Sequence, residues 1–340
     1  MSRVKIHAPS INYLTSSEGS EIRGLFDFHV PFANLSSKIK IMKEAVLSPN
    51  KNRTALFLVS QRSGRGKGKA NIESMVDSLK ATFKSVDVIK LTSMEEGCEA
   101  AMKACGVYDA LIVFGGDGTI RNIINAIAPM DKTPILGYIN GGTLCDFGIN
   151  FGIHGRKKRA LKIIDDGHVC AFDVGKINDE YFGYCASVGA FADIPYIAKQ
   201  KYKRRLGSLA YYILAAKKAF IKDQVKGTLY VNDEVIPFET PFLLLLSGKH
   251  IAGFPVSNRS RTDDGLMELY VTKPGLFNGL VHYFFFKART KCYISDHFRI
   301  EIDYPNPWDL DGEAGPIGNV EITCLKRKLR IFCSKKYHNC

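Results

Sequence analysis

The sequence contains no run approaching the roughly 18 consecutive apolar residues that span a bilayer. Its opening stretch, MSRVKIHAPSINYL, lacks the continuous apolar segment of a signal peptide, so a soluble chain without a leader is expected. Nine cysteines are scattered with no CxxC pair, which argues against a disulfide framework and for free thiols in a reducing, cytoplasmic compartment. The eight histidines form no HExxH and none stands near a cysteine pair at zinc spacing, and there is no GxSxG elbow. Zinc hydrolysis and that route to a serine hydrolase drop out. With no RNP-like aromatic motif, no zinc-finger spacing and no heptad zipper, nucleic acid is not the expected partner. Internal repeats and low-complexity segments are also absent.

What is present is a chain of 340 residues, 46% apolar and 24% charged, long enough for two packed domains. Its formal charge of +13 favours an acidic partner, whether a nucleotide or an anionic membrane surface. The excess is clustered in QRSGRGKGK (61–69), GRKKRALK (155–162), KQKYKRR (199–205) and LKRKLRIFCSKK (325–336). Any one of these clusters also reads as a solvated face.

Residues 1–50 are poorly periodic, with a short helix suggested at SKIKIMKEAVL, and form an N-terminal extension. From residue 54 short β-like runs (TALFLV, SVDVIKL, ALIVF, PILGYI) alternate with helical spacing (NIESMVDSLKATF, EEGCEAAMKAC, IRNIINAIA). That alternation predicts a parallel sheet covered on both faces, an α/β domain over 51–170. Beyond it, GTLYVNDEVIPFE reads as a hairpin about its Asn-Asp pair, and FLLLLSG, LMELYVT, FRIEID and NVEITCLKRKLRIFC as strands. One helix, near RLGSLAYYILAAKKAFIK, interrupts them. An all-β sandwich over 171–325 is expected, with 326–340 returning to the first domain.

Three of the predicted parallel strands end in glycine plus a hydroxyl or an acid. These ends are SQRSGRG (60–66), GGDGT (115–119) and NGGTLCDFG (140–148), the last carrying Thr143 and Asp146. Ligands of open parallel sheets sit beyond such carboxyl ends. Glycines remove Cβ atoms that would hold a phosphate off the backbone, the following helix offers N–H groups, and Asp117 can hold a magnesium ion. The plainer alternative is a turn in which Asp117 or Thr119 caps a helix. Farther on, DLDGE (309–313) sets Glu313 on a glycine turn.

Taken in order, GGDGT, the GT-x-x-D of NGGTLCDFG, AFDVGKINDEYF, RRLGSLAYY, RTDDGLMEL and DLDGE resemble the diacylglycerol kinase catalytic superfamily, which includes bacterial soluble lipid kinases and the sphingosine and ceramide kinases. The resemblance covers about residues 54–335. It implies an NAD kinase-like nucleotide-binding domain joined to a β-sandwich, and transfer of the γ-phosphoryl group of ATP to a lipid hydroxyl with Mg²⁺. On the same resemblance Ser60, Gln61, Arg62, Ser63, Gly64, Gly115, Gly116, Asp117, Gly118, Thr119, Asn122 and Gly142 line the phosphates, and Thr143 and Thr92 touch the nucleotide. Asp117, Asp146 and Asp173 form an acidic network about the catalytic magnesium, and Glu313 is the general base. The carbonyls of Arg261 and Leu266 with the carboxylate of Asp264 match a second, structural magnesium site. The implied partner is a lipid at an anionic membrane surface, met by a peripheral protein; a homodimer is left open.

Several positions depart from the family's pattern. Ser60 and Gln61 stand where it usually shows Asn-Pro, Asn122 where a glutamate follows GGDGT, Cys145 for the asparagine of GT-x-N-D, and Ser247 where an asparagine often ends the strand. Two alternatives follow: a catalytically impaired lipid- or nucleotide-binding regulatory homologue, and an NAD kinase, which shares GGDG but whose TPTGSTAY-like segment is missing here.

Overall fold

Thr54–Ser60 (β1) places six consecutive buried residues in a row, the pattern of a strand covered on both faces. The computed structural model describes residues 50–60, 72–142, 145–189, 224–251, 254–257, 259–272 and 290–337, all within the compact unit Leu47–Cys340. The suggested helices at 37–47 and 205–222, the glycine loop at 61–69 and Thr143 lie outside the described residues.

After β1 come Ile72–Thr82 (α1), Ser85–Leu91 (β2), Met94–Ala104 (α2), Ala110–Gly115 (β3), Asp117–Ile127 (α3) and Ile135–Asn140 (β4). Asp146–Ile149 (α4) and Lys157–Asp166 (α5) complete the α/β part. The four strands are parallel in the order β2-β1-β3-β4. Helix α3 opens at Asp117, three residues earlier than the apolar periodicity suggests, so Asp117 to Thr119 occupy its first turn rather than a loop.

The antiparallel part begins with Val169–Ile177 (β5), Glu180–Phe182 (β6) and Cys185–Gly189 (β7), followed by Val225–Val231 (β8), Glu234–Thr240 (β9) and Phe242–Leu246 (β10). A two-stranded ribbon, His250–Ile251 (β11) and Phe254–Pro255 (β12), precedes Met267–Thr272 (β13), Thr290–Ser295 (β14) and His297–Ile302 (β15). Pro307–Leu310 (β16), Glu313–Ile317 (β17) and Val320–Phe332 (β18) end the chain's strands. The expected hairpin is β8–β9, turning on Asn232 (φ 50°) and Asp233 (φ 64°), the left-handed pair that a two-residue turn requires.

Strands β14-β13-β10-β7-β16-β17 form one antiparallel sheet. Its inner face, with Leu243, Leu245, Met267, Leu269 and Trp308, packs on Phe298, Ile300 and Ile322 of the other sheet in a sandwich core. The long strand β18 joins the two halves. Its first residues pair with β15, and Ile331 near its end pairs in parallel with Leu136 of β4, so a single ten-stranded sheet runs from β2 to β9. Antiparallel pairing with β5 breaks between Leu325 and Leu329, where Arg327 takes φ 50°.

Candidate active site

Register brings the carboxyl ends of the parallel strands to one edge: Ser60 lies opposite Leu91, Val59 opposite Phe114 and Gly115 opposite Asn140. Ser60, Thr92, Gly116 and Gly142 therefore share that edge, while Gln61, Arg62, Ser63, Gly64 and Thr143 lie outside the described residues. Packing explains Gly115, whereas at Gly116 a Cβ would meet only ordinary contact. A Cβ on Gly115 would stand 2.5 Å from Cβ of Thr119, and one on Gly116 would sit 3.5 Å from the Gly142 Cα. Gly116 is the N-cap of α3 and supplies no capping side chain, which leaves the helix start to an outside anion. Thr92 is engaged locally: its hydroxyl and its N–H both donate to the Glu96 carboxylate at 2.7 Å, while Ser93 caps α2.

Asp117 reaches from α3 across to α4. Its carboxylate accepts from the backbone N–H groups of Phe147 and Asp146 and from the Tyr138 hydroxyl at 3.3 Å. Asn140 takes part from the next strand end, bonding Tyr138 at 3.1 Å and accepting the Gly142 N–H at 2.8 Å. Burial, reinforced by the Asp146 charge, pushes the Asp117 carboxyl up to about 7. Two neighbouring carboxylates that repel each other are a hard-oxygen donor set suited to magnesium, which binds through one or two carboxylates and completes its shell with phosphate oxygens and water. Among the described residues no larger cluster of His, Cys, Asp or Glu has metal-holding geometry. Cys145, between the glycines and Asp146, donates to the Ile153 carbonyl at 3.3 Å, and burial with the Asp117 charge raises its thiol to about 12, far from nucleophilic.

The DLDGE stretch forms the tight turn of the β16–β17 hairpin, with Asp311 at φ 51° and Gly312 at φ 87°. Asp311, 3% exposed, accepts three backbone N–H groups: those of Gly183, of Tyr184 at 3.0 Å and of Cys185 at 2.9 Å. Burial still raises its carboxyl to about 6, the three donors pulling the other way. Gly183 packs flat on the first half, since a Cβ there would meet the Phe147 ring at 3.0 Å and Ile124 at 3.1 Å. Burial pushes the Tyr184 hydroxyl up, and the charges of Asp146, Asp311 and Asp117 add to the effect. Glu313 follows Asp311 by two residues, at most about 7 Å of chain, and is partly exposed at the start of β17. The turn that carries Glu313 is thus tied through Asp311 to the segment Gly183 to Cys185, and Gly183 packs on Phe147 beside Asp146.

In metal-free buffer this cluster gives a pH signature. Both Asp117 and Asp311 titrate above the ordinary value of 3.8, so between about 4 and 7 the folded protein holds more protons than the unfolded chain. Stability accordingly falls as pH rises through that window, and above about 6 Asp117 alone of the two contributes. Urea midpoints measured against pH should show a flatter fall in Asp117→Asn; an unchanged slope would refute the burial account.

Asp173 is tied to the RTDDGL turn. At 1% exposure on β5, its carboxylate accepts the N–H groups of Gly265 and Arg327, both at 2.7 Å, and its own N–H donates to the Thr262 carbonyl at 2.7 Å. It fastens the RTDDGL turn to the bulge of β18. Burial raises its carboxyl, with Asp264 and Asp263 adding to the effect. In that turn Asp264 accepts the Leu266 N–H at 3.0 Å, and Arg261 donates to Asp263 at 3.2 Å.

A family model, the diacylglycerol kinase catalytic domain, matches residues 54–177. A diacylglycerol kinase of Staphylococcus epidermidis is 31% identical over 241 residues, covering 68% of this chain and 76% of that protein. The chain belongs to the diacylglycerol kinase family of lipid kinases. Another such kinase, from Staphylococcus saprophyticus, is 33% identical over 185 residues; the match covers 54% of this chain and 61% of that relative. A crystal structure of a putative diacylglycerol kinase from Bacillus anthracis shares the fold, with a TM-score of 0.73 at 22% identity over 84% of this chain and 98% of that one.

Within this lipid kinase, sequence reasoning missed Tyr138, Asn140, Arg121 and Asp311. Arg121 sits where α3 meets β6: its Nη2 pairs with Glu180 at 2.6 Å and its Nη1 donates to Asn122 at 3.1 Å. Asn122 therefore orients a buried guanidinium that acts on Asp311. Ser247, 1% exposed, keeps its backbone bond to Tyr184 at 2.9 Å, but its hydroxyl has no partner.

Proposed function

We propose that this kinase transfers the γ-phosphoryl group of Mg·ATP to the hydroxyl of a diacylglycerol-like or sphingoid lipid. The observation that carries the reading is the fastening of the DGE turn, through Asp311 and Gly183, to the same buried cluster as Asp117 and Asp146. The glycine edge and the start of α3 take the triphosphate, with Gly115, Gly116, Gly118 and Thr119 letting it approach the backbone. Asp117 and Asp146 would hold the magnesium, which would supply neutralisation of charge on the transferred oxygens. Glu313 accepts the proton of the acceptor hydroxyl as its oxygen bonds to the γ-phosphorus; the bond from that phosphorus to the bridging oxygen breaks, and ADP departs. Asp264 and the carbonyls of Arg261 and Leu266 would hold a second ion that stiffens the turn anchored by Asp173.

The acceptor resides in a membrane, and among the described residues no helix is long and apolar enough to cross one. We assign it a peripheral role at a cytoplasmic, anionic surface, with the cations of 155–162 on and before α5 and those of 325–336 contributing about 1 kcal/mol per well-placed Lys or Arg. The test is transfer of labelled phosphate from Mg·ATP to lipids in mixed micelles. Absence of both transfer and an ATP-dependent rise in melting temperature would end the kinase reading, whereas nucleotide binding without transfer would favour the impaired regulatory homologue that Asn122 and Cys145 suggest.

A further inference from the structure

A cavity of about 100 Å³ opens beside Asn150 at the end of α4, lined also by Lys249, His250, Arg261, Thr262 and Tyr337. It is large enough for several waters or one tetrahedral oxyanion. One acid, Asp263, also borders it, and both oxygens of that acid are engaged by guanidinium groups, Arg261 at 3.2 Å and Arg327 at 3.1 Å. Lys249 has no such counterpart: among the described residues no carboxylate pairs with it. The Nδ1 atom of His250 is buried with no hydrogen-bond partner, and the charges that act on the ring come from His154 and Lys249, none from an acid. Buried polar groups are satisfied in nearly all proteins, so an orphaned ring nitrogen beside an unpaired ammonium points to an absent acceptor.

We propose that this cavity binds a phosphate-type oxyanion, with Lys249 supplying the charge and His250 donating from Nδ1–H. The site is connected to the catalytic cleft through one side chain. Asn150 Oδ1 accepts the backbone N–H groups of Lys249 at 2.8 Å and His250 at 3.1 Å, while its Nδ2 donates to the Asp146 carbonyl at 3.0 Å. Filling the cavity therefore braces the segment that holds Asp146, whether or not the kinase reading stands.

Orthophosphate is the first probe, titrated at constant ionic strength into protein with ¹⁵N-labelled histidine. The His250 ring signals should move saturably, and Lys249→Ala and Lys249→Gln should each weaken the phosphate constant by about tenfold, while the circular dichroism spectrum and the phosphate-free melting temperature stay those of the parent protein as proof of folding. A second titration uses dihexanoyl phosphatidate: binding tighter than orthophosphate assigns the site to a lipid phosphomonoester, and equal binding to free phosphate. His250 signals that stay fixed, phosphate affinity unaltered in both Lys249 variants, or phosphate displaced by ATP would each overturn the proposal.

Discussion

Replacing Glu313 by glutamine is expected to lower phosphoryl transfer by about 10²–10⁴-fold while leaving the nucleotide constant unchanged. Glutamine keeps the size and the hydrogen-bonding reach of the side chain but cannot take a proton. Glu313 begins β17 opposite Leu310 and is partly exposed, so the amide fits in the same space as the carboxylate. Steady-state assays with Mg·ATP, paired with calorimetric titration of a non-hydrolysable analogue, separate the two effects. A Glu313→Gln enzyme with native turnover would remove the base from this position, and one that lost nucleotide binding would make its role structural.

Asp311→Ala should act through the fold. Its carboxylate accepts three buried N–H groups from the segment Gly183 to Cys185, and alanine leaves all three without an acceptor. Each orphaned donor costs about 1–3 kcal/mol, offset in part because burying the carboxylate is itself unfavourable. A net loss of about 2–4 kcal/mol is expected in urea unfolding, together with a fall in turnover, since the turn carrying Glu313 loses its tie to Asp146. Full stability in this variant would show that the hairpin holds its position without that clamp.

The parallel half was legible because its strands are short unbroken apolar runs and its helices show clear periodicity; the hairpin about Asn232 and Asp233 was legible from its turn residues alone. Asp311 was not. In DLDGE it precedes the glycine and reads as turn chemistry, and nothing local signals that its partners are Gly183 to Cys185, more than a hundred residues away. The partners of Asp173 were hidden in the same way: the backbone N–H groups of Gly265 and Arg327 on its two oxygens come from 92 and 154 residues farther along the chain. Strands β5 and β7 escaped notice because their alternation is weak, with Gly175 and Gly189 replacing side chains where Phe182 and Pro241 press close.

Strand β18 gives the order of synthesis a structural meaning. The flank of β4 is completed only by Ile331, so while the polypeptide is still emerging from the ribosome the nucleotide half carries a naked apolar strand flank. The first half translated is thus the last to be sealed, and a fragment ending after α5 would be expected to clump rather than stay dissolved.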